Sequence, residues 1–233
     1  MDVGRTNRTT ADATVTVSAS SGDLLGAGVA AADVDGDGVD DLIAGASGVR
    51  STGAVFVFLG PVSGAVDASA ADVRLLGDGD NTGEHVVVLG DTDGDGLGDV
   101  GVCSTASTWL SVLRDPARGL GQLADAPLIV RLDLGPGCAA LAGADVDGDG
   151  LEELIVGTGT DPAALVFAAA GTGTLGQSDA LAEVTTSGAG DAGGSVARLA
   201  DRDGDGSDEV LVGGKDVGVG GEAWIVPGAS LIP

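Results

Sequence analysis

Residues 33–46 read DVDGDGVDDLIAGA. The phrase returns three times, as DTDGDGLGDVGVCS from Asp91, DVDGDGLEELIVGT from Asp145 and DRDGDGSDEVLVGG from Asp201. The four starts lie 58, 54 and 56 residues apart, so four units of similar length account for nearly all of the 233 residues. Self-similarity at such a period marks a repeat architecture, in which each unit buries its apolar face against the next.

Working outward from the phrase, each unit carries four short apolar runs. One precedes it (26–32, 83–90, 137–144, 194–200) and one follows at once (Leu42–Ala44, Val100–Val102, Leu154–Val156, Val210–Val212). A third run covers Ala54–Leu59, Trp109–Leu113, Ala164–Ala168 and Ala223–Val226; a fourth covers Val73–Leu76, Leu128–Leu132 and Ala182–Thr185. Runs of this length, with β-branched residues common and bounded by Gly, Asp, Ser and Pro, are strands. None keeps a helical period over three turns. Four short strands per unit predict an all-β chain, a β-propeller of four four-stranded blades. The expected layout is a single domain over 1–233, with units near 22–76, 77–132, 133–185 and 186–233. The last unit lacks a fourth run, whereas Ala13–Val17 is a strand without a unit. The expectation is that this N-terminal strand (13–17) completes the last blade and closes the ring, removing exposed sheet edges. The rival readings are four blades of a larger seven- or eight-bladed ring, and half of a ring made by two chains.

Asp and Glu number 36 against 10 Lys and Arg, a net charge of −26. That field repels nucleic acid and anionic membrane surfaces. An apolar content of 43% excludes a solvated acidic tail. With two Trp, three Phe and no Tyr, the core must come from Ala, Val, Leu and Ile. One His, two Cys and one Met leave little material for nucleophilic or redox catalysis, so the chain reads as no enzyme. No apolar run approaches a membrane span, and the opening MDVGRTNRTTADATVTV lacks the apolar stretch of a secretory signal.

The acidic phrase has the chemistry of a calcium loop. Carboxylates fall at positions 1, 3, 5 and 9: Asp33, Asp35, Asp37 and Asp41; Asp91, Asp93, Asp95 and Asp99; Asp145, Asp147, Asp149 and Glu153; Asp201, Asp203, Asp205 and Glu209. Ca²⁺ takes six to eight oxygens, and alternating Asp in a tight loop can aim several inward. Position 6 is glycine in every copy (Gly38, Gly96, Gly150, Gly206), where the chain must turn sharply. Position 7 (Val39, Leu97, Leu151, Ser207) would offer its backbone carbonyl, which leaves its side chain free to vary. Solvated Asp-Gly turns are the plain alternative, and four matched loops argue against it. Unneutralised, four carboxylates so close would repel one another. Magnesium prefers to keep its waters, and zinc lacks its His and Cys ligands. The reading is about four Ca²⁺, one per blade. An EF-hand needs an acid at position 12, and here that position is Ala44, Val102, Val156 and Val212. Nine-residue β-helix repeats are excluded by the spacing.

The unit resembles the FG-GAP repeat of integrin α-subunit propellers and of bacterial extracellular proteins. Leu25-Gly26 stands at the FG position, Gly45-Ala46-Ser47 at GAP, and Gly53–Phe58 and Gly221–Val226 at the strand that follows. The second unit departs from the pattern, with Thr82-Gly83 and Cys103-Ser104-Thr105. The resemblance implies a secreted or cell-surface adhesion or binding module with structural calcium. A protein or glycan would be its ligand, and self-association is a further expectation. A second function class is a sugar-binding lectin using Trp109 and Trp224, although both lie within strands, where core packing is the commoner role. His85 has no visible catalytic partner. Cys103 and Cys138 lie in adjacent units and read equally well as a disulfide or as two buried thiols.

Overall fold

Glycine and aspartate break the apolar runs into short pieces, and each piece forms a strand of three to eight residues. The computed structural model describes residues 14–77, 81–106, 108–116, 123, 126–132, 137–186, 192–215, 217 and 220–232. In chain order the strands are β1 (Val15–Ser18), β2 (Leu25–Ala32), β3 (Asp41–Ala46), β4 (Ala54–Phe58), β5 (Gly64–Asp67) and β6 (Val73–Leu76). There follow β7 (His85–Gly90), β8 (Asp99–Cys103), β9 (Trp109–Leu113), β10 (Leu128–Arg131), β11 (Ala140–Ala144) and β12 (Glu153–Gly157). The last are β13 (Ala164–Phe167), β14 (Gly173–Gly176), β15 (Ala182–Val184), β16 (Ala192–Leu199), β17 (Glu209–Gly214) and β18 (Glu222–Val226). The described helices are single 3₁₀ turns, and none is long and apolar enough to cross a membrane.

Sheet I is β2-β3-β4-β6, sheet II β7-β8-β9-β10 with β14 added at its edge, sheet III β11-β12-β13-β15, and sheet IV β16-β17-β18. Within each sheet the pairs are antiparallel; β14 joins β10 in parallel. The protein is therefore all-β, built of successive antiparallel sheets that match propeller blades, with strands where the apolar runs place them.

Alternation along the strands sends one set of side chains forward to the next sheet and the other backward. Ile43, Val55 and Val57 of sheet I meet Val86, Val100 and Val102 of sheet II. Leu110, Val112 and Leu128 of sheet II meet Leu154, Leu165 and Phe167 of sheet III, and Ile155 and Val166 meet Val210 and Val212 of sheet IV. Few aromatics are needed because the innermost strands approach closely. A Cβ on Gly143 of β11 would stand 1.8 Å from the Leu89 carbonyl of β7. Cys103 and Cys138, left open above, form a disulfide between sheets II and III, with Cα atoms 6.0 Å apart.

One expectation is corrected. The N-terminal strand does not complete the last blade: β1 pairs in parallel with β5, Val15 opposite Gly64 and Ser18 opposite Asp67. Sheet IV has three strands and β1 is not among them; Val17 is instead partly buried against Phe56 and Phe58 on the back of sheet I, an apolar contact that adds to the β5 ladder in holding the strand there. Ala13 lies outside the described residues. β2 packs on β7, β7 on β11 and β11 on β16, while β16 and β2 make no comparable packing.

Candidate metal centres

Each acidic phrase joins the first two strands of a sheet, and the ladder fixes its ends. Ala32 faces Asp41, Gly90 faces Asp99, Ala144 faces Glu153 and Leu199 faces Glu209, so the position 9 acid opens the second strand with its side chain buried. That carboxylate accepts the amide of position 2: Val34 to Asp41 and Thr92 to Asp99 at 2.9 Å, Val146 to Glu153 and Arg202 to Glu209 at 3.1 Å. The Thr92 hydroxyl also donates to Asp99.

Position 1 organises the turn. Asp33 accepts the amides of Gly36 at 2.7 Å and Gly38 at 2.9 Å. Asp91, Asp145 and Asp201 accept the corresponding pairs, Gly94 and Gly96, Gly148 and Gly150, and Gly204 and Gly206. Asp35 and Asp37 in turn accept the amides of Asp37 and Val39, and the other loops repeat this. Both glycines of each loop have positive φ, between 77° and 97° across the four copies. The need at position 6 was expected; the need at position 4 (Gly36, Gly94, Gly148, Gly204) was not singled out, though glycine stands there in every copy.

Oxygens of Asp33, Asp35 and Asp37 lie within 4.8 Å of one another, as do those of Asp91, Asp93 and Asp99, of Asp145, Asp147 and Glu153, and of Asp201, Asp203 and Glu209. These are hard, anionic donors in a space the size of a coordination sphere, and they could hold a divalent cation. Burial, with the charges of Asp147, Asp149 and Asp145 added, pushes Glu153 up to about 7 against the Val146 amide. Burial likewise raises Asp99 to about 6, opposed by its bonds to Thr92. Asp33 and Asp91 go the other way. The slight burial that would raise them is outweighed by four backbone amides each, and they stay below the usual carboxylate range.

Residues outside the phrase tie the loops together. The amide of Glu152 donates to the Asp91 carbonyl at 3.2 Å, and that of Asp208 to the Asp145 carbonyl at 2.7 Å. Arg198 on β16 lies 2.6 Å from Asp208 and 3.3 Å from Glu152. Arg114, buried after β9, lies 3.5 Å from Asp93 and donates to the carbonyls of Ala169 and Gly171. Nothing local in the sequence marks these partners. His85 sits beside Glu84 in a cavity of about 810 Å³ lined also by Thr158, Ser195 and Lys215, at the strand ends opposite the loops. Trp109 has Arg131 stacked on its ring at 3.7 Å, and Trp224 packs between sheets III and IV.

The family model described as FG-GAP repeat matches residues 25–58, which hold β2, the first loop, β3 and β4. This segment is similar to an FG-GAP repeat. The hydrogen-bond cage that the FG-GAP segment builds around Asp33 recurs in the other three units. A stretch of 91 residues is 38% identical to integrin alpha-4 of Xenopus laevis and covers 36% of this chain. The integrin-like FG-GAP resemblance read from the motifs is thereby shown, although the chain spans only 8% of that relative's length. Among solved structures, the V. cholerae biofilm matrix protein Bap1 is similar at 15% identity over 86% of this chain and 37% of that one, with a TM-score of 0.41.

Proposed function

We propose that the four loops are structural calcium sites and that residues 1–233 form one non-catalytic β-propeller domain, with blades near 22–76, 77–132, 133–185 and 186–233, serving as a secreted or cell-surface binding module. The observation that carries the reading is the fourfold recurrence of one cage. Position 1 accepts the amides of positions 4 and 6, position 9 accepts that of position 2, and carboxylate oxygens converge from positions 1, 3 and 5 in the first loop and from positions 1, 3 and 9 in the other three. The side chains at positions 1, 3, 5 and 9 and the carbonyls of Val39, Leu97, Leu151 and Ser207 would supply the ligands. Ca²⁺ would pin the turn between the first two strands and neutralise carboxylates that otherwise repel; four ions would bring the net charge from −26 to −18. A protein or glycan ligand is in keeping with the integrin-like repeat. The cavity beside His85 offers a concave surface away from the ions.

Thermal unfolding with calcium and with excess chelator tests this, because an ion that binds only the folded state raises its melting temperature. The expected result is a large loss on chelation, restored by Ca²⁺ and not by Mg²⁺, with calorimetry counting about four ions. Asp145→Ala should remove one ion from the count and leave the others. An unchanged melting curve together with no bound calcium by direct metal analysis would overturn the reading.

A further inference from the structure

The two ends of the row of sheets are bare in matching ways. On sheet IV, Ala197, Leu211 and Ile225 lie side by side across β16, β17 and β18, on the face turned from sheet III. Ile225 is 49% exposed, whereas the residues at the same register of sheets I, II and III, namely Val57, Val112 and Val166, are each 0% exposed beneath the next sheet. On the back of sheet I, Val29 is 63% exposed, while its counterparts Val86 and Leu141 are buried under the preceding sheet. The loops show the same interrupted series. Leu97 closes over Gly36, Leu151 over Gly94, and the Gly206-Ser207 segment over Gly148. The next pair would be Val39 over Gly204, and Val39 is 39% exposed while Gly204 faces open space.

β1 shows what fits between those ends. It lies on β5 with Val15 opposite Gly64, as β10 lies on β14 with Leu128 opposite Gly173. The other edge of β10 completes sheet II by pairing with β9. Among the described residues, the other edge of β1 has no strand, and neither has the outer edge of β18, the counterpart of β9. Among the described residues there is thus a fourth strand without its sheet and a sheet without its fourth strand, and the two are not paired with each other.

We propose that a second copy of this chain docks head to tail on sheet IV, its β1 adding antiparallel to β18 and the back of its sheet I covering Ala197, Leu211 and Ile225. Transferring the β9–β10 register sets Val15 of the incoming copy opposite Ile225, Thr16 opposite Trp224, Val17 opposite Ala223 and Ser18 opposite Glu222. Its Val29 then meets the bare front face, and its Val39 closes over Gly204. β1 is already ordered on its own β5, so strand addition needs no rearrangement of the donor. Such a contact is heterologous, joining one surface to a different one, and it repeats until a ring closes. It rests on apolar faces and strand edges and stands whether or not the loops hold calcium.

Val15→Cys and Ile225→Cys variants, mixed and oxidised, test the register directly. The expected product is a disulfide-linked pair containing one of each, absent when either variant is oxidised alone. Light scattering of the unmodified protein should show at least twice its 22.3 kDa mass at high concentration. Ile225→Asp should return it to 22.3 kDa with its cooperative melting intact. A monomer at every concentration would overturn the proposal. So would a double Val15→Cys/Ile225→Cys chain that, at high dilution, forms its disulfide within a single molecule, because the ring would then close on itself.

Discussion

Glu153 is where the competing forces in a loop are easiest to weigh. Its carboxylate is held in the protein by the Val146 amide and crowded by Asp145, Asp147 and Asp149, and burial raises it to about 7 from 4.5. Asp99 is raised to about 6 from 3.8 by burial. A carboxyl with a folded-state value above its unfolded one binds protons better when folded, so its contribution to stability falls as pH rises between the two values. The calcium-free protein should therefore melt at a higher temperature at pH 5 than at pH 8. With calcium bound the order should reverse, because protons then compete with the ion for the same oxygens. Melting curves at the two pH values, with and without chelator, check both signs. Asp33 and Asp91, held low, act only in more acid solution, where the stability they confer is lost as pH drops below 3.8. If the chelated protein is instead more stable at pH 8, the buried acids are not the dominant titrating groups.

Between elements, stability depends on how closely the sheets approach. Gly143→Ala would place a Cβ 1.8 Å from the Leu89 carbonyl, where only backbone movement of β7 or β11 makes room. Overpacking of that kind costs about 3 kcal/mol, and denaturant unfolding should show the loss with the calcium count unchanged. The Cys103–Cys138 bond clips the same two sheets and closes a loop of 35 residues. By loop-closure entropy its removal should cost about 4 kcal/mol, so Cys103→Ser/Cys138→Ser should lose stability by a comparable amount. These elements also show what could be read in advance. Each loop was legible because its acidic residues and cage bonds fall within nine residues and repeat four times. β5 and β14 were not, since Gly64–Asp67 and Gly173–Gly176 carry little apolar signal and exist as strands only through their parallel partners. Arg114 and Arg198 escaped for the same reason, as their acceptors lie up to 57 residues away.

Across the whole molecule, each sheet is stabilised by the neighbours it has, as in any repeat row. Sheets II and III are covered on both faces and share the disulfide, whereas sheet IV is covered on one and sheet I is only partly screened behind by β1 and β5. Local opening is easiest where apolar burial is least. Hydrogen exchange on Ile225→Asp, the variant designed to stay monomeric, should release amides of β16 and β18 first and those of β8 and β12 last. In the unmodified protein at high concentration, docking of a second copy would bury β18 and Ile225, and exchange in β18 should slow while β8 and β12 stay as they were. Protection that rises evenly over all four sheets with concentration would point to general crowding, whereas a rise confined to β18, β16 and β1 would place the contact at the two bare ends. The net charge of −26 sets the condition for that experiment: without calcium, like-charged loops meet where Val39 approaches Gly204, and docking should weaken at low salt. Adding calcium or raising the ionic strength should then restore the slow exchange of β18, because either one removes the repulsion while leaving the apolar faces as they are.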